Sequence, residues 1–139
     1  MSRRPDRSAL SLEQIEGSVW GDPPADATRL IETVLRLRRK PVALLTAEDI
    51  RLLLGQDVGS PILVPRALAM LEQDPLCEGD LYPGDLLVSA MRVPPSYWHA
   101  RPDDLERLER VIAAIDTTAE DFQDLLRKPI AKFREQLRS

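Results

Sequence analysis

Apolar residues recur along the chain at intervals of three and four, the spacing that places side chains on one face of a helix. The clearest case is Leu105, Leu108, Val111 and Ile112. The segment 41–45 is the only candidate strand in the sequence, and a sheet cannot be made from one strand. The pattern predicts an all-α fold, a compact single-domain bundle of about six to eight short helices.

Capping signals mark where two of these helices begin. Ser11 and Gln14, and again Thr46 and Asp49, stand three residues apart, as a capping box requires. In that motif the two residues satisfy backbone N–H groups that the first helical turn leaves without partners. The residues expected to end these two helices are Gly17 and Gly55.

A longer helix is expected from about Asp26 to Arg39, with Asp26 as its cap. Its inward stripe is predicted to comprise Ala27, Leu30, Ile31, Val34 and Leu35. Basic residues fill its last turn, where they suit the negative end of the helix dipole.

Prolines divide the remaining helical segments. Pro61 suits the first turn of a helix, whereas Pro65 either is tolerated near that start or splits the segment in two. In the last helix, which Thr118 is predicted to cap, Pro129 is expected to cause a kink or a break.

Composition narrows the classes of function. Of the 139 residues, 1–9 read as a disordered basic leader and 10–139 as one helical domain. Cys77 and His99 are the sole residues of their types, so we expect no disulfide, no metal site and no cofactor. No apolar run approaches the ~20 residues of a membrane span, and the cytoplasm is the expected location. The net charge of −4 argues against a general nucleic-acid binder.

Carboxylates concentrate in two places. Glu78, Asp80 and Asp85 crowd a Gly-rich connector, in a spacing that does not match a calcium-binding EF-hand loop. The second concentration is in the C-terminal third and includes Glu106, Glu109, Asp121 and Asp124. Helix capping and solvated charge explain many such residues. The alternative is a surface that contacts a basic protein.

Three other features permit different functions. The cluster RLRRK at 36–40 could contact nucleic acid, although ordinary helix C-terminal chemistry also explains it. His99 or Cys77 could serve a hydrolase, but neither has a catalytic partner at a recognisable spacing. The aromatic residues of the connectors are expected to lock them onto the core, with polar ring atoms bonded to backbone, or to anchor an interface. These residues are Trp20, Tyr82, Tyr97 and Trp98.

The order of turns and caps resembles that of a known family, the immunity proteins of contact-dependent growth inhibition (CDI) systems. The resemblance covers about residues 11–115. It is carried by the segments EGSVWGDPP (16–24), LRLRRKPV (35–42), LTAEDIRLLLGQDVG (45–59), LVPRALAMLEQDPLCEGDLYPGDLL (63–87) and VPPSYW (93–98).

The resemblance implies a small α-helical cytosolic protein that is not an enzyme. Such proteins bind the C-terminal toxin domain of a cognate effector, often a nuclease, and block its active site or substrate groove. No binding residue is carried over by motif. Because a nuclease holds phosphate in a basic groove, the carboxylates Glu78, Asp80, Asp85, Glu106, Glu109, Asp121 and Asp124 are the predicted contacts. A nucleic-acid-binding regulator that uses residues 36–40 is the alternative.

Overall fold

The chain folds into helices joined by short connectors. In a computed structural model, residues 9–115 and 120–138 are described, with side chains from Leu125 onward in the second range. These ranges contain eight α-helices and no β-strand, so the predicted all-α class is confirmed. The helices are α1 (Leu12–Glu16), α2 (Arg29–Arg38), α3 (Ala47–Gly55), α4 (Ser60–Gln73), α5 (Asp85–Met91), α6 (Pro95–Ala100), α7 (Pro102–Ala113) and α8 (Glu120–Arg138). The predicted leader falls almost wholly outside the described residues, as does the predicted cap Thr118.

Both predicted capping boxes form. The Ser11 hydroxyl accepts a hydrogen bond from the Gln14 N–H at 3.2 Å, and the Gln14 side chain accepts one from the Ser11 N–H at 2.9 Å. Thr46 and Asp49 make the corresponding bonds at 3.1 and 3.0 Å. Gly17 ends α1 in the left-handed conformation, as predicted, with φ at 64°.

The end of α3 differs from the prediction. Gly55 is the last helical residue, and Asp57 adopts the left-handed conformation with φ at 54°. The Val58 N–H reaches back to the Leu53 carbonyl at 2.9 Å, which closes the helix end. Asp57 tolerates this conformation better than most residues, and its carboxylate accepts a hydrogen bond from the Ser60 hydroxyl at 2.8 Å.

The start of α2 also differs. Thr28, not Asp26, is the cap, and its hydroxyl accepts a hydrogen bond from the Ile31 N–H at 3.2 Å. Asp26 lies instead in a turn that the Ala27 N–H closes on the Pro24 carbonyl at 2.9 Å. The prolines before Asp26 favour that turn, and the helix therefore begins two residues later than expected.

The apolar stripe of α2 is buried over its second half alone. Leu30 and Ile31 remain 41% and 44% exposed, although both were expected to face inward. Burial begins at Val34 and continues through Leu37 and Arg38. The first turn of α2 therefore presents apolar side chains to solvent.

Prolines interrupt the helices less than expected. The helix α4 continues through Pro65, and α8 continues through Pro129, so a break at Pro129 is wrong. A proline removes one backbone hydrogen bond, but α8 buries Ile130 and Phe133 immediately afterwards, and that packing offsets the loss. The candidate strand at 41–45 is a 3-10 turn, Val42–Leu44.

The innermost helix is α5, in which all seven residues are buried. It packs against α3, α4 and α8. A helix surrounded in this way has no solvent face, which explains its near-continuous apolar sequence after Asp85. Within the described ranges, every helix is too short or too polar to span a lipid bilayer.

Trp98 of α6 joins the C-terminal helices to this core. It is fully buried, and its ring meets the rings of Tyr97 and Phe133 edge-on at centroid distances of 5.2 and 5.9 Å. Its Nε1–H donates to the Val93 carbonyl at 3.2 Å, so the predicted bond from ring to backbone is confirmed here. The Tyr97 hydroxyl instead donates to the Asp104 carboxylate at 2.9 Å.

Candidate protein-binding surface

The connector from α4 to α5 carries the first predicted carboxylate group, and residues 78–84 are called the acidic loop below. Asp85, the first residue of α5, organises this loop from inside. Its carboxylate accepts hydrogen bonds from the N–H groups of Gly79 at 2.6 Å, Leu81 at 3.0 Å and Tyr82 at 3.4 Å. Because Asp85 is only 2% exposed, its charge is directed at the loop backbone and not at solvent.

Glu48 of α3 holds the same loop from the other side. Its Oε1 accepts a hydrogen bond from the Asp80 N–H at 3.0 Å, and both of its oxygens accept from the Arg51 guanidinium. A Cβ at Gly79 would lie 2.6 Å from Glu48 Oε1 and 3.1 Å from Asp85 Oδ2, so a larger residue there would displace one of the two carboxylates. The loop is therefore fixed by two acidic residues that it does not contain.

Three side chains of the acidic loop point outward. Glu78 and Asp80 are exposed, and Leu81 is 63% exposed although it is apolar. The sequence analysis identified the two acids but missed Leu81. The available signal was a single apolar residue in a connector otherwise made of acidic residues, Gly, Pro and one Tyr. We call Glu78, Asp80 and Leu81 the loop surface.

Acid is expected to release the loop from α3. The hydrogen bond from Arg51 is the main cause that holds the pKa of Glu48 below its ordinary value, and it outweighs the opposite effect of burial. A carboxylate with a lowered pKa stabilises the fold above its unfolded pKa of about 4.3, and this contribution is lost as pH falls through the folded value. We expect the Asp80 N–H to exchange faster with solvent below about pH 4, measured by NMR.

Glu48→Gln supplies the control for this titration, because it keeps an oxygen acceptor and removes the charge. In that variant the pH dependence of the Asp80 amide should disappear. An Asp80 amide that titrates identically in both proteins would show that Glu48 does not hold the loop.

The second predicted group lies on α7 and α8, away from the loop in sequence. Glu106 pairs with Arg110 at 2.6 Å, and Glu109 pairs with Arg134 of α8 at 3.1 Å. Ion pairs this exposed contribute little to stability, so these carboxylates remain available to a partner. Asp121 and Asp124 belong to α8 by backbone, and their side chains lie outside the described part of the chain.

The basic cluster at 36–40 is largely engaged within the chain. Arg38 is 2% exposed and donates to Glu16 Oε1 and to the Ser18 carbonyl, each at 3.0 Å. Its guanidinium also lies 3.8 Å from the centre of the Trp20 ring, a cation–π contact. The residue that looked most like part of a phosphate contact thus fastens the connector after α1 to α2.

The next two cations of the cluster are also paired. Arg39 contacts Asp22 at 3.2 Å, and Lys40 contacts Asp49 at 2.9 Å. Arg36 is exposed, and no ion pair joins it to any described side chain. One exposed cation is a weak basis for nucleic-acid binding, which needs several phosphate contacts.

Neither candidate nucleophile or base has a catalytic setting. His99 Nε2 lies 3.0 Å from the Leu137 carbonyl, a contact that ties α6 to the end of α8. Cys77 is half-buried, and burial raises the pKa of its thiol, which disfavours the reactive thiolate. Across residues 9–115 and the described side chains of α8, no group of three or more His, Cys, Asp or Glu residues could hold a metal ion.

Comparison with known proteins places this arrangement. A family model described as CDI immunity proteins matches residues 14–108. The matched region begins within α1, ends within α7 and includes the whole acidic loop. The chain therefore belongs to the CDI immunity protein family, as the resemblance indicated. No curated protein and no solved structure matches the chain.

Proposed function

We propose that this chain binds the C-terminal toxin domain of a cognate CDI effector, acts in the cytoplasm and blocks the active site or substrate groove of that domain. The family membership supports a role in immunity. The observation that supports a direct contact is the loop surface, in which two carboxylates and an exposed leucine are held on a braced connector.

Charge favours a nuclease as the toxin. A nuclease carries cationic residues where it holds the phosphates of its substrate. Two outward carboxylates on a chain of net charge −4 complement such a groove and speed the encounter with it. Glu106 and Glu109 extend this proposal to α7, and Asp121 and Asp124 extend it to α8.

The internal bonds of the loop favour tight binding. A segment that is disordered before binding must lose conformational entropy when its partner arrives. The Asp85 and Glu48 hydrogen bonds already fix the loop backbone in the free protein. We therefore assign Asp85 a positioning role, since its carboxylate faces inward, and we assign the contact to the loop surface.

Leu81 gives this surface an apolar centre. Stable interfaces combine a desolvated apolar core with a polar rim, and Leu81 follows Asp80 directly, with Glu78 on the same loop. Its exposure costs the free protein hydrophobic stabilisation that contact with a partner would restore.

Reversal of charge at the loop surface tests the proposal. The double variant Glu78→Lys with Asp80→Lys should bind the toxin domain at least about tenfold more weakly, because attraction becomes repulsion inside the interface. The partner to use is the C-terminal domain of the effector encoded beside this chain, and calorimetry measures the affinity. The same titration, followed by nucleic-acid cleavage, tests whether the toxin is a nuclease.

A matched control changes the charge by the same amount elsewhere. Asp26 and Glu32 are exposed carboxylates near the start of α2, and the double variant Asp26→Lys with Glu32→Lys should bind nearly as well as the wild type. A third variant, Glu106→Lys with Glu109→Lys, tests the helix group separately. Equal affinity of the loop variant and the wild type would remove the loop surface from the interface. Absence of wild-type binding would refute the proposed function.

A further inference from the structure

A second surface, opposite in charge to the acidic loop, lies between α5 and α8. It is a cleft of about 560 Å³, within the range of about 300–1,000 Å³ typical of ligand pockets. Val88, Met91 and Phe133 line it with apolar side chains. All three are largely buried and so form a floor that is anchored in the core.

Cations surround this floor. Arg92 follows the end of α5, and Lys128 and Lys132 stand four residues apart on α8, so the two lysines share one helix face. All three are exposed, and no carboxylate among the described side chains lies within 4.0 Å of their charged groups. In a chain of net charge −4, most other arginines on the described surface have an acidic partner, and this cleft is an exception.

We propose that this cleft binds an acidic peptide segment that carries an apolar side chain. The apolar side chain would fill the space above Met91 and Phe133, and flanking carboxylates would meet Arg92, Lys128 and Lys132. A charged rim around a desolvated centre is the usual anatomy of a peptide-binding site.

The lining favours a peptide over nucleic acid. Phe133 is 3% exposed and its ring packs edge-on against Trp98, so it offers no face on which a base could stack. A polyanion would also meet the repulsion of an acidic chain, whereas a peptide with a few carboxylates meets mainly the local cations.

The source of this peptide rests on the proposed function, which makes the toxin domain the partner. Asp85 begins α5 next to the acidic loop, and Arg92 follows the other end of the same helix. Seven residues of helix separate the two surfaces by about 10 Å. A partner that places a basic groove on the loop and an acidic segment in the cleft can bind in one orientation only.

The test uses the full chain and a synthetic peptide in which glutamates flank a single leucine. NMR titration at low salt should show saturable shifts at the amides of Arg92, Lys132 and Phe133. The double variant Lys128→Glu with Lys132→Glu should bind at least tenfold more weakly. Arg36→Glu with Arg127→Glu is the control, because both residues are exposed, neither lines the cleft, and the net charge changes equally.

Each outcome decides the proposal. Saturable binding that the cleft variant loses and the control variant retains supports it, as does a failure of the same peptide with glutamines in place of glutamates. No saturable shift, equal binding by both variants, or preferential binding of a single-stranded oligonucleotide would overturn it. A concentration-dependent dimer that fills the cleft with a second copy would overturn it too. The peptide titration contains no toxin, so its failure is distinct from failure of the proposed function.

Discussion

Replacing Trp98 with alanine is expected to lower the free energy of unfolding by about 3–5 kcal/mol. The ring is fully buried between Tyr97 and Phe133, and its removal leaves a cavity where α6 meets α8. It also leaves the Val93 carbonyl without its donor. Urea denaturation followed by circular dichroism measures the change directly.

The second tryptophan is the natural control. Trp20 is 52% exposed, and its described stacking partner is Arg38, so Trp20→Ala should cost only about 1 kcal/mol. Trp98→Phe keeps a ring and removes the hydrogen bond, and we expect an intermediate loss. Equal destabilisation by Trp98→Ala and Trp20→Ala would contradict the central role assigned to the buried ring.

Replacing Asp85 with alanine is expected to destabilise the fold by about 2–4 kcal/mol and to weaken toxin binding as well. The change removes the acceptor for three backbone N–H groups in the acidic loop. The loss of binding would be indirect, because the loop surface would no longer be held in place. Chemical denaturation and hydrogen exchange at the Gly79 and Leu81 amides measure the two consequences.

Asp26→Ala is the matched control, since that carboxylate is exposed and lies in the connector before α2. It should leave stability and loop exchange nearly unchanged. Asp85→Asn should fall between the two, because an amide offers one acceptor oxygen where the carboxylate offers two. If Asp85→Ala unfolds at the wild-type denaturant concentration, the account of the loop given above is wrong.

Local signals in the sequence were enough to locate the helices. The pairs Ser11 with Gln14 and Thr46 with Asp49 act within one turn, so their sequence alone specifies the helix starts. The errors arose where several local signals compete. Asp26 and Thr28 are both capable caps, and the prolines before Asp26 decided between them.

The site was predictable by residue type and not by orientation. The sequence placed Glu78, Asp80 and Asp85 in one loop, but it gave no sign that Asp85 turns inward. That orientation depends on how the loop packs against α3, including the bond from Glu48 to the Asp80 N–H across 32 residues of sequence. The exposure of Leu81 has the same origin, because only the folded loop determines which side of it meets solvent.

The separation of inward and outward residues in the acidic loop bears on how partner preference could change. Glu48, Gly79 and Asp85 keep the backbone in shape, while positions 78, 80 and 81 send their side chains away from those bonds. Libraries randomised at the three outward positions should therefore yield mostly folded proteins with altered recognition. The same diversity introduced at the three inward positions should yield mostly unfolded ones, so rival toxins could be met by redecorating a loop whose framework stays constant.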